Sequence, residues 1–413
     1  MKAIAYRSRR KLRAALFFAA VTAGVFLFGG SALAAADFSG IEYVPVLIES
    51  GEADSVLVRW GAFGLQTGYL HYAEAENGSA LPAEHAVTAA QPQKTSGMPL
   101  YLAEMPVESG RTYLYGISTD ADTPPETLYS FTADDGETLS VLFSADTHLC
   151  NPSYAETMDV SLRQGLEQTP LDLIFLAGDV MDKPDYAPEQ VMPAASTLQS
   201  VPIAVIPGNH DSPFVLFRYL PMPNTEKSLQ NYYFIKDNVL FIGLNIWGEQ
   251  WSKCGDYVRE CVKDNPDCDW RVVVIHYSTQ SNGSHYSDRM VVECRRALQS
   301  AFEEADIDLV FSGHDHQYIR TYLVDSDGFE KSADDTLMEK SAGETLYVTL
   351  PTSTGTKYYK DRLFTPPEDF IAYFGLRRET GYTLAEFTPD EVTLTTCAAE
   401  SGEVVDLAVL TRK

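Results

Sequence analysis

Five short apolar runs in this chain each end in residues able to do chemistry. Leu139–Ser144 leads into Asp146-Thr147-His148, and Leu171–Ala177 into Gly178-Asp179. Ile203–Ile206 leads into Gly208-Asn209-His210-Asp211, Arg271–Ile275 into His276, and Ile307–Ser312 into Gly313-His314-Asp315-His316. Five of the eight histidines stand at these ends, together with aspartates and one asparagine. Imidazole and carboxylate without thiolate suit hard to borderline divalent cations. So many donors exceed what one ion takes but suit two ions sharing a carboxylate. Two ions about 3.5–4 Å apart clamp the attacking and leaving oxygens of a phosphoryl displacement. A lone histidine at a strand end is more often a satisfied structural group, but five such ends in order outweigh that reading. His71 and His85 lie far upstream and read as structural or exposed.

Something must bring these ends together. From residue 138 onward, buried-looking runs alternate with helix-like stretches such as Tyr154–Gln168 and Met290–Ala305. That rhythm indicates an α/β domain whose strands are covered on both faces. Ligand sites in such sheets form at the carboxyl ends of strands, which is where the polar residues sit. The glycines before Asp179, Asn209 and His314 are expected to let the chain turn sharply there. Tyr232–Asn245 reads as a hairpin turning at Asp237-Asn238. Asp325–Gly343 reads as an acidic surface loop, and strands resume after Thr345, ending with Val404–Leu410. Upstream, Val56–Trp60, Tyr69–Ala73, Thr112–Ile117 and Leu128–Thr132 are rich in β-branched and aromatic residues and separated by turn formers. Residues 37–134 are therefore expected to form an all-β, immunoglobulin-like sandwich, with Asp134-Asp135-Gly136 marking the boundary to a domain spanning 138–413.

The 413 residues exceed one small core and are expected to form two domains after a leader. The leader has a basic segment to Arg13, an apolar stretch from Ala14 to Gly30 and a small-x-small site at Ala32-Leu33-Ala34. It reads as an export signal over residues 1–34, with an uncleaved anchor as the alternative. Ser8-Arg9-Arg10-Lys11-Leu12 is similar to a twin-arginine signal. The expected location is secreted, periplasmic or cell-surface. The formal charge is −27, and without the six leader bases it becomes −33. Such a surface repels nucleic acid and anionic lipid, so neither is expected as a partner. An anionic substrate would need positive charge supplied locally. Six cysteines in an exported chain suggest disulfides, with a local bridge among Cys254, Cys261 and Cys268 expected.

In order and spacing these motifs resemble the calcineurin-like metallophosphoesterases: D-x-H at Asp146/His148, G-D at Gly178/Asp179, G-N-H-D at Gly208 to Asp211, the lone His276, and G-H-x-H at Gly313 to His316. Gly313 to Tyr322 is similar to the last motif of the purple acid phosphatases, whose members also carry an N-terminal fibronectin-III-like sandwich. Two positions depart from that group. Its D-x-G is here Asp146-Thr147-His148, and its metal-bound tyrosine is here Asp182. The fold implied is a fibronectin-III-like sandwich followed by a metallophosphoesterase domain, a β-sandwich flanked by helices in four αββα layers. The resemblance implies one ion on Asp146, His148, Asp179 and His316, and another on Asp179, Asn209, His276 and His314, both being manganese, iron or zinc. It implies that His210 faces the phosphate, that Asp211 holds its ring, and that His285 lines the pocket. Two divalent ions, two carboxylates and a hydroxide sum to about +1, the local field that the composition lacks.

The expected reaction is attack by metal-bound hydroxide on a small phosphate ester, with a phosphomonoester preferred. A phosphodiesterase or nucleotidase of the same fold is one alternative. A catalytically inactive surface-binding protein is another, and loss of a ligand would favour it. The ester class is expected to be set in the loops Ser278–Asp288 and Asp325–Gly343.

Overall fold

The computed structural model describes residues 43–413 apart from 65–66, 76–78, 96–97, 332–335 and 360–368. The expected export signal, residues 1–34, lies outside the described residues. Seven strands come first: β1 (Tyr43–Glu49), β2 (Ser55–Gly61), β3 (Gly68–Glu74), β4 (Ala86–Ala90), β5 (Leu100–Pro106), β6 (Thr112–Ser118) and β7 (Tyr129–Thr132). β2 pairs antiparallel with β1 and β5, while β4-β3-β6-β7 form a separate four-stranded sheet. The two layers touch through aromatic packing. Trp60 and Tyr101 face each other across β2 and β5 and stack at 5.5 Å. Gly68 opens β3 against them, and a Cβ there would stand 2.9 Å from the Trp60 ring.

The chain turns at 134–136 but the sheet does not stop there. The remaining elements, in chain order, are β8 (Leu139–Ser144), α1 (Pro152–Gln168), β9 (Leu173–Ala177), β10 (Ile203–Ile206), α2 (Pro213–Tyr219), β11 (Tyr232–Lys236), β12 (Val239–Leu244), α3 (Trp251–Asp264) and β13 (Trp270–Ile275). They continue with α4 (Arg289–Glu304), β14 (Leu309–Ser312), β15 (Tyr318–Val324), β16 (Phe329–Glu330), β17 (Leu337–Lys340), β18 (Thr345–Thr349), β19 (Ile371–Gly375), β20 (Gly381–Phe387), β21 (Glu391–Ala398) and β22 (Val404–Arg412). One sheet runs β17-β22-β21-β20-β8-β9-β10-β1-β2-β5, so β1 lies beside β10, in parallel, with Ile48 opposite Ile203. Val46, Leu47 and Ile48 are all buried, the pattern of a strand covered on both faces rather than of a sandwich edge. The seam is also bonded through side chains. Tyr115 donates its hydroxyl hydrogen to the Gln199 carbonyl, and Arg59 donates to the carbonyls of Arg218 and Tyr219.

The second sheet runs β11-β12-β13-β14-β18-β15-β16, with β19 on β15. The two sheets meet face to face, Phe143 of β8 stacking on Phe311 of β14 at 3.7 Å. Alternate residues of β13 divide between two cores. Val272 and Val274 join the core between the sheets, and Val273 and Ile275 join the core under α3 and α4. On the first sheet's other face, Gly165 brings α1 so close that a Cβ would sit 2.3 Å from Leu142. The hairpin β11–β12 turns at Asp237-Asn238 with φ of 44° and 62°, as two-residue connections demand.

Two expectations fail. All six cysteines are free. Cys254 and Cys261 lie on the inner face of α3 and pack with Val258, Cys268, Cys294 and Phe302 as small apolar groups. Burial pushes the Cys261 thiol up to about 12, which keeps it from reacting as thiolate. The supposed loop Asp325–Gly343 contains β16 and β17, and β17 pairs in parallel with β22.

One consequence concerns pH. Near the seam, Asp172 is raised to about 7 by burial and by the neighbouring Asp134 charge, although Ser140 N–H donates to it. Between pH 3.8 and about 7 the unfolded chain has released a proton that the native state keeps. Stability therefore falls as pH rises through that window. Asp172→Asn keeps an acceptor for Ser140. Thermal melts should show the variant stabilised by about 1–3 kcal/mol over the native chain at pH 8, with the gap closed at pH 4. A pH-independent gap would contradict this.

Candidate metal centre

The chemistry-bearing tips come from both sheets. β8, β9 and β10, parallel in the first sheet, deliver Asp146, His148, Asp179 and the 208–211 turn, and β13 and β14 of the second deliver His276 and Gly313 to His316. Backbone hydrogen bonds tie the tips together. Asp146 N–H donates to Gly178 O at 3.0 Å, His148 N–H to Asp179 O at 2.9 Å, and Gly313 N–H to His276 O at 3.0 Å. Between the sheets, His314 N–H donates to Asp146 Oδ2 at 2.9 Å. Asp146, His148, Asp179, His314 and His316 all have positive φ, between 43° and 73°. Non-glycine residues rarely adopt that region, and surrounding packing holds them there.

The three motif glycines serve different needs. Gly178 has φ of 87° and is the one that provides the expected turn. Gly208 and Gly313 provide room instead. A Cβ at Gly208 would lie 2.1 Å from Asp179 Oδ1, and one at Gly313 would lie 2.7 Å from Asp146 Oδ2.

Hydrogen bonds orient the imidazoles. His276 Nδ1–H donates to the Ala177 carbonyl at 3.0 Å, so Nε2 is the nitrogen turned into the site. That Nε2 is buried, has no hydrogen-bond partner and stands 3.4 Å from Asp179 Oδ1. His316 Nδ1–H donates to the Lys357 carbonyl at 2.8 Å, which turns Nε2 toward Asp146 Oδ1 at 3.3 Å and His148 Nε2 at 3.2 Å. Asp179 faces two ways, with Oδ1 toward His276 and Oδ2 toward His148 at 3.7 Å. Burial opposes charge on His276, but the Asp179 and Asp146 carboxylates outweigh it and lift the ring to about 9. Burial likewise opposes ionisation of Asp179, yet His276 and His148 hold it well below the usual carboxylate range. The donors Asp146, His148 and His316, and Asp146, Asp179 and His276, gather within 4.8 Å. A buried imidazole nitrogen facing two buried carboxylates fits a divalent cation, which would take the place of the Nε2 proton.

Two of the expected ligands stand apart. Asn209 is exposed at the turn beyond β10. The His314 ring lies 5.1 Å from that of His276 but groups with His285 and Asp288.

The role expected of Asp211 is corrected. Its buried carboxylate accepts from the N–H groups of Val180, Met181 and Gly208, at 3.0, 2.7 and 2.8 Å. It therefore clamps the β9 and β10 turns rather than the His210 ring. His210 Nδ1–H donates instead to the Asp182 carbonyl at 2.8 Å, and its N–H to Asp179 Oδ1 at 2.8 Å. His285 reaches the site, stacked 4.1 Å from His314 and held through Nδ1 by Asp315 Oδ1 at 3.1 Å. Asp315, the variable residue of G-H-x-H, was thus a legible but unread signal. Two others gave no signal in the sequence. Lys357 lies in the stretch after β18, and Trp247, 43% exposed, donates its indole N–H to Gly208 O at 3.1 Å.

Residues 139–318 match the family model described as calcineurin-like phosphoesterase. In this region the chain is similar to a calcineurin-like phosphoesterase domain. A probable purple acid phosphatase 20 of Arabidopsis thaliana is 27% identical over 181 residues, covering 39% of this chain and 42% of that protein. The match thus spans less than half of that relative's length. A purple acid phosphatase from yellow lupin (Lupinus luteus) seeds shares the fold, with a TM-score of 0.72 at 14% identity over 89% of this chain and 74% of its own. PhoD superposes with a TM-score of 0.62 at 11% identity, over 91% of this chain and 90% of its own. Within the phosphoesterase domain Asp182 points at a lysine: its Oδ1 is 3.1 Å from Lys357 Nζ.

Proposed function

We propose that this chain is an exported metallophosphoesterase that holds two ions and hydrolyses small phosphate esters, with monoesters preferred. The observation that supports the pair is Asp179, whose two oxygens address histidines from different sheets. Asp146, His148, Asp179 and His316 would hold one ion. Asp179 and His276 would hold the other, with Asn209 and His314 completing it on rotation. Bound there, manganese, iron or zinc would supply Lewis acidity and an activated water. The chain's own residues do the rest. Asp211 stiffens the turns that carry Asp179 and His210. His210, its Nδ1–H committed to a carbonyl, presents Nε2 for a proton or hydrogen bond at the phosphate. His285, anchored by Asp315, lines the pocket on the His314 side.

The leader and the likeness to purple acid phosphatases support export. The first seven strands read as a fibronectin-III-like domain that serves as a wall of the cleft, since β1 is built into the catalytic sheet. An inactive binding protein of this fold is disfavoured, because every ligand position carries a donor.

The test is removal and return of metal. Chelated protein should hydrolyse neither p-nitrophenyl phosphate nor its bis ester, and manganese, iron or zinc should restore the monoesterase first. Elemental analysis should give about two ions per chain. Activity that persists in protein free of metal would sink the proposal.

A further inference from the structure

Lys357 belongs to none of the motifs, yet its ammonium stands among them. Nζ lies 3.1 Å from Asp182 Oδ1, 3.3 Å from His148 Nδ1 and 3.4 Å from each ring nitrogen of His210. Its side chain is 34% exposed, so one side of the ammonium is open. The loop is fixed on the β8 tip: Thr352 and Thr354 donate their hydroxyls to the carbonyls of Asp146 and Thr147, both at 2.8 Å. The Lys357 carbonyl itself orients His316. Among the described residues, no other lysine or arginine contacts the ligand side chains or His210.

An ammonium has three N–H donors. Asp182 Oδ1 takes one, while His148 Nδ1, whose ring turns Nε2 to the ion site, would carry a proton of its own and take none. His210 Nδ1 already donates to the Asp182 carbonyl, which leaves Nε2, at 3.4 Å, able to take one more. At least one N–H therefore remains for an incoming acceptor. A plain surface ion pair with Asp182 would explain one contact but not the placement beside two site imidazoles. In a chain of formal charge −27 a cation placed here has an electrostatic purpose.

Taking the phosphoesterase reading as its basis, we propose that Lys357 is a substrate-binding residue. It donates to a non-bridging phosphate oxygen and favours dianionic monoesters over monoanionic diesters. Asp182 is its positioning partner.

The test uses metal-loaded full chain, native and with Lys357→Met or Lys357→Arg. Neither change alters the backbone carbonyl that holds His316. Calorimetry at pH 8 with inorganic phosphate and with dimethyl phosphate reads binding without turnover. Lys357→Met should weaken phosphate about 10- to 100-fold, move dimethyl phosphate less than about threefold, and leave metal content unchanged. Lys357→Arg should stay within about fivefold for both. In kinetics, KM for p-nitrophenyl phosphate should rise by the same factor with kcat little changed. Unchanged phosphate affinity, equal weakening of both anions, or lost metal in Lys357→Met would each overturn the proposal. A native chain that hydrolyses neither ester would overturn the phosphoesterase reading, while phosphate affinity would still judge Lys357.

Discussion

Asp179→Asn is expected to lower hydrolysis by about 10³-fold or more, equivalent to about 4 kcal/mol of transition-state stabilisation, while the protein stays folded. Its two oxygens reach His276 and His148, at 3.4 and 3.7 Å, so it is the side chain that the two proposed ion sites would share. An amide retains an acceptor for His210 N–H, now at 2.8 Å. It removes the anion that lets buried ligands hold cations. Its charge also helps burial raise Asp211 to about 7, so neutralising it relieves that repulsion. Elemental analysis should show fewer than about two ions per chain. Full metal content with full activity would remove Asp179 from the centre.

His210→Ala should slow hydrolysis by roughly 10²–10⁴-fold with metal content unchanged. The side chain is held at one nitrogen by the Asp182 carbonyl and packs edge-on to His148, with ring centroids 4.7 Å apart. The measurement decides between two roles, because His210 also lies within 4.8 Å of His148 and Asp179 donor atoms. If the variant loses an ion, His210 is a ligand and not the group that meets the phosphate. Asp211→Ala should behave differently from His210→Ala despite adjacency, since it strips three buried N–H groups of their acceptor.

Much of the catalytic domain was readable residue by residue. β8 and β10 begin and end where the buried-looking runs do, because strands covered on both faces exclude charged residues along their length. The hairpin at Asp237-Asn238 was readable because those residue types tolerate positive φ. β1 was not recognised as a member of the catalytic sheet. Its apolar run looks the same whether its neighbour is seven residues away in β2 or at Ile203. The cysteines misled for a similar reason. Their number and the exported context pointed to bridges, but their spacing on α3 places them side by side along one buried face.

Residue types and their order were enough to name the donors, put each at the end of a strand and infer an affinity for cations. That works because a ligand's chemistry belongs to its side chain and its local backbone state to its neighbours. Partnership is another matter. Folding brought three tips from one sheet against two from another, gave His210 the Asp182 carbonyl in place of Asp211, and set Lys357 beside His148 across 209 positions of chain. Such contacts depend on how two packed sheets align their edges through the core between them, and no periodicity along the chain records that distance.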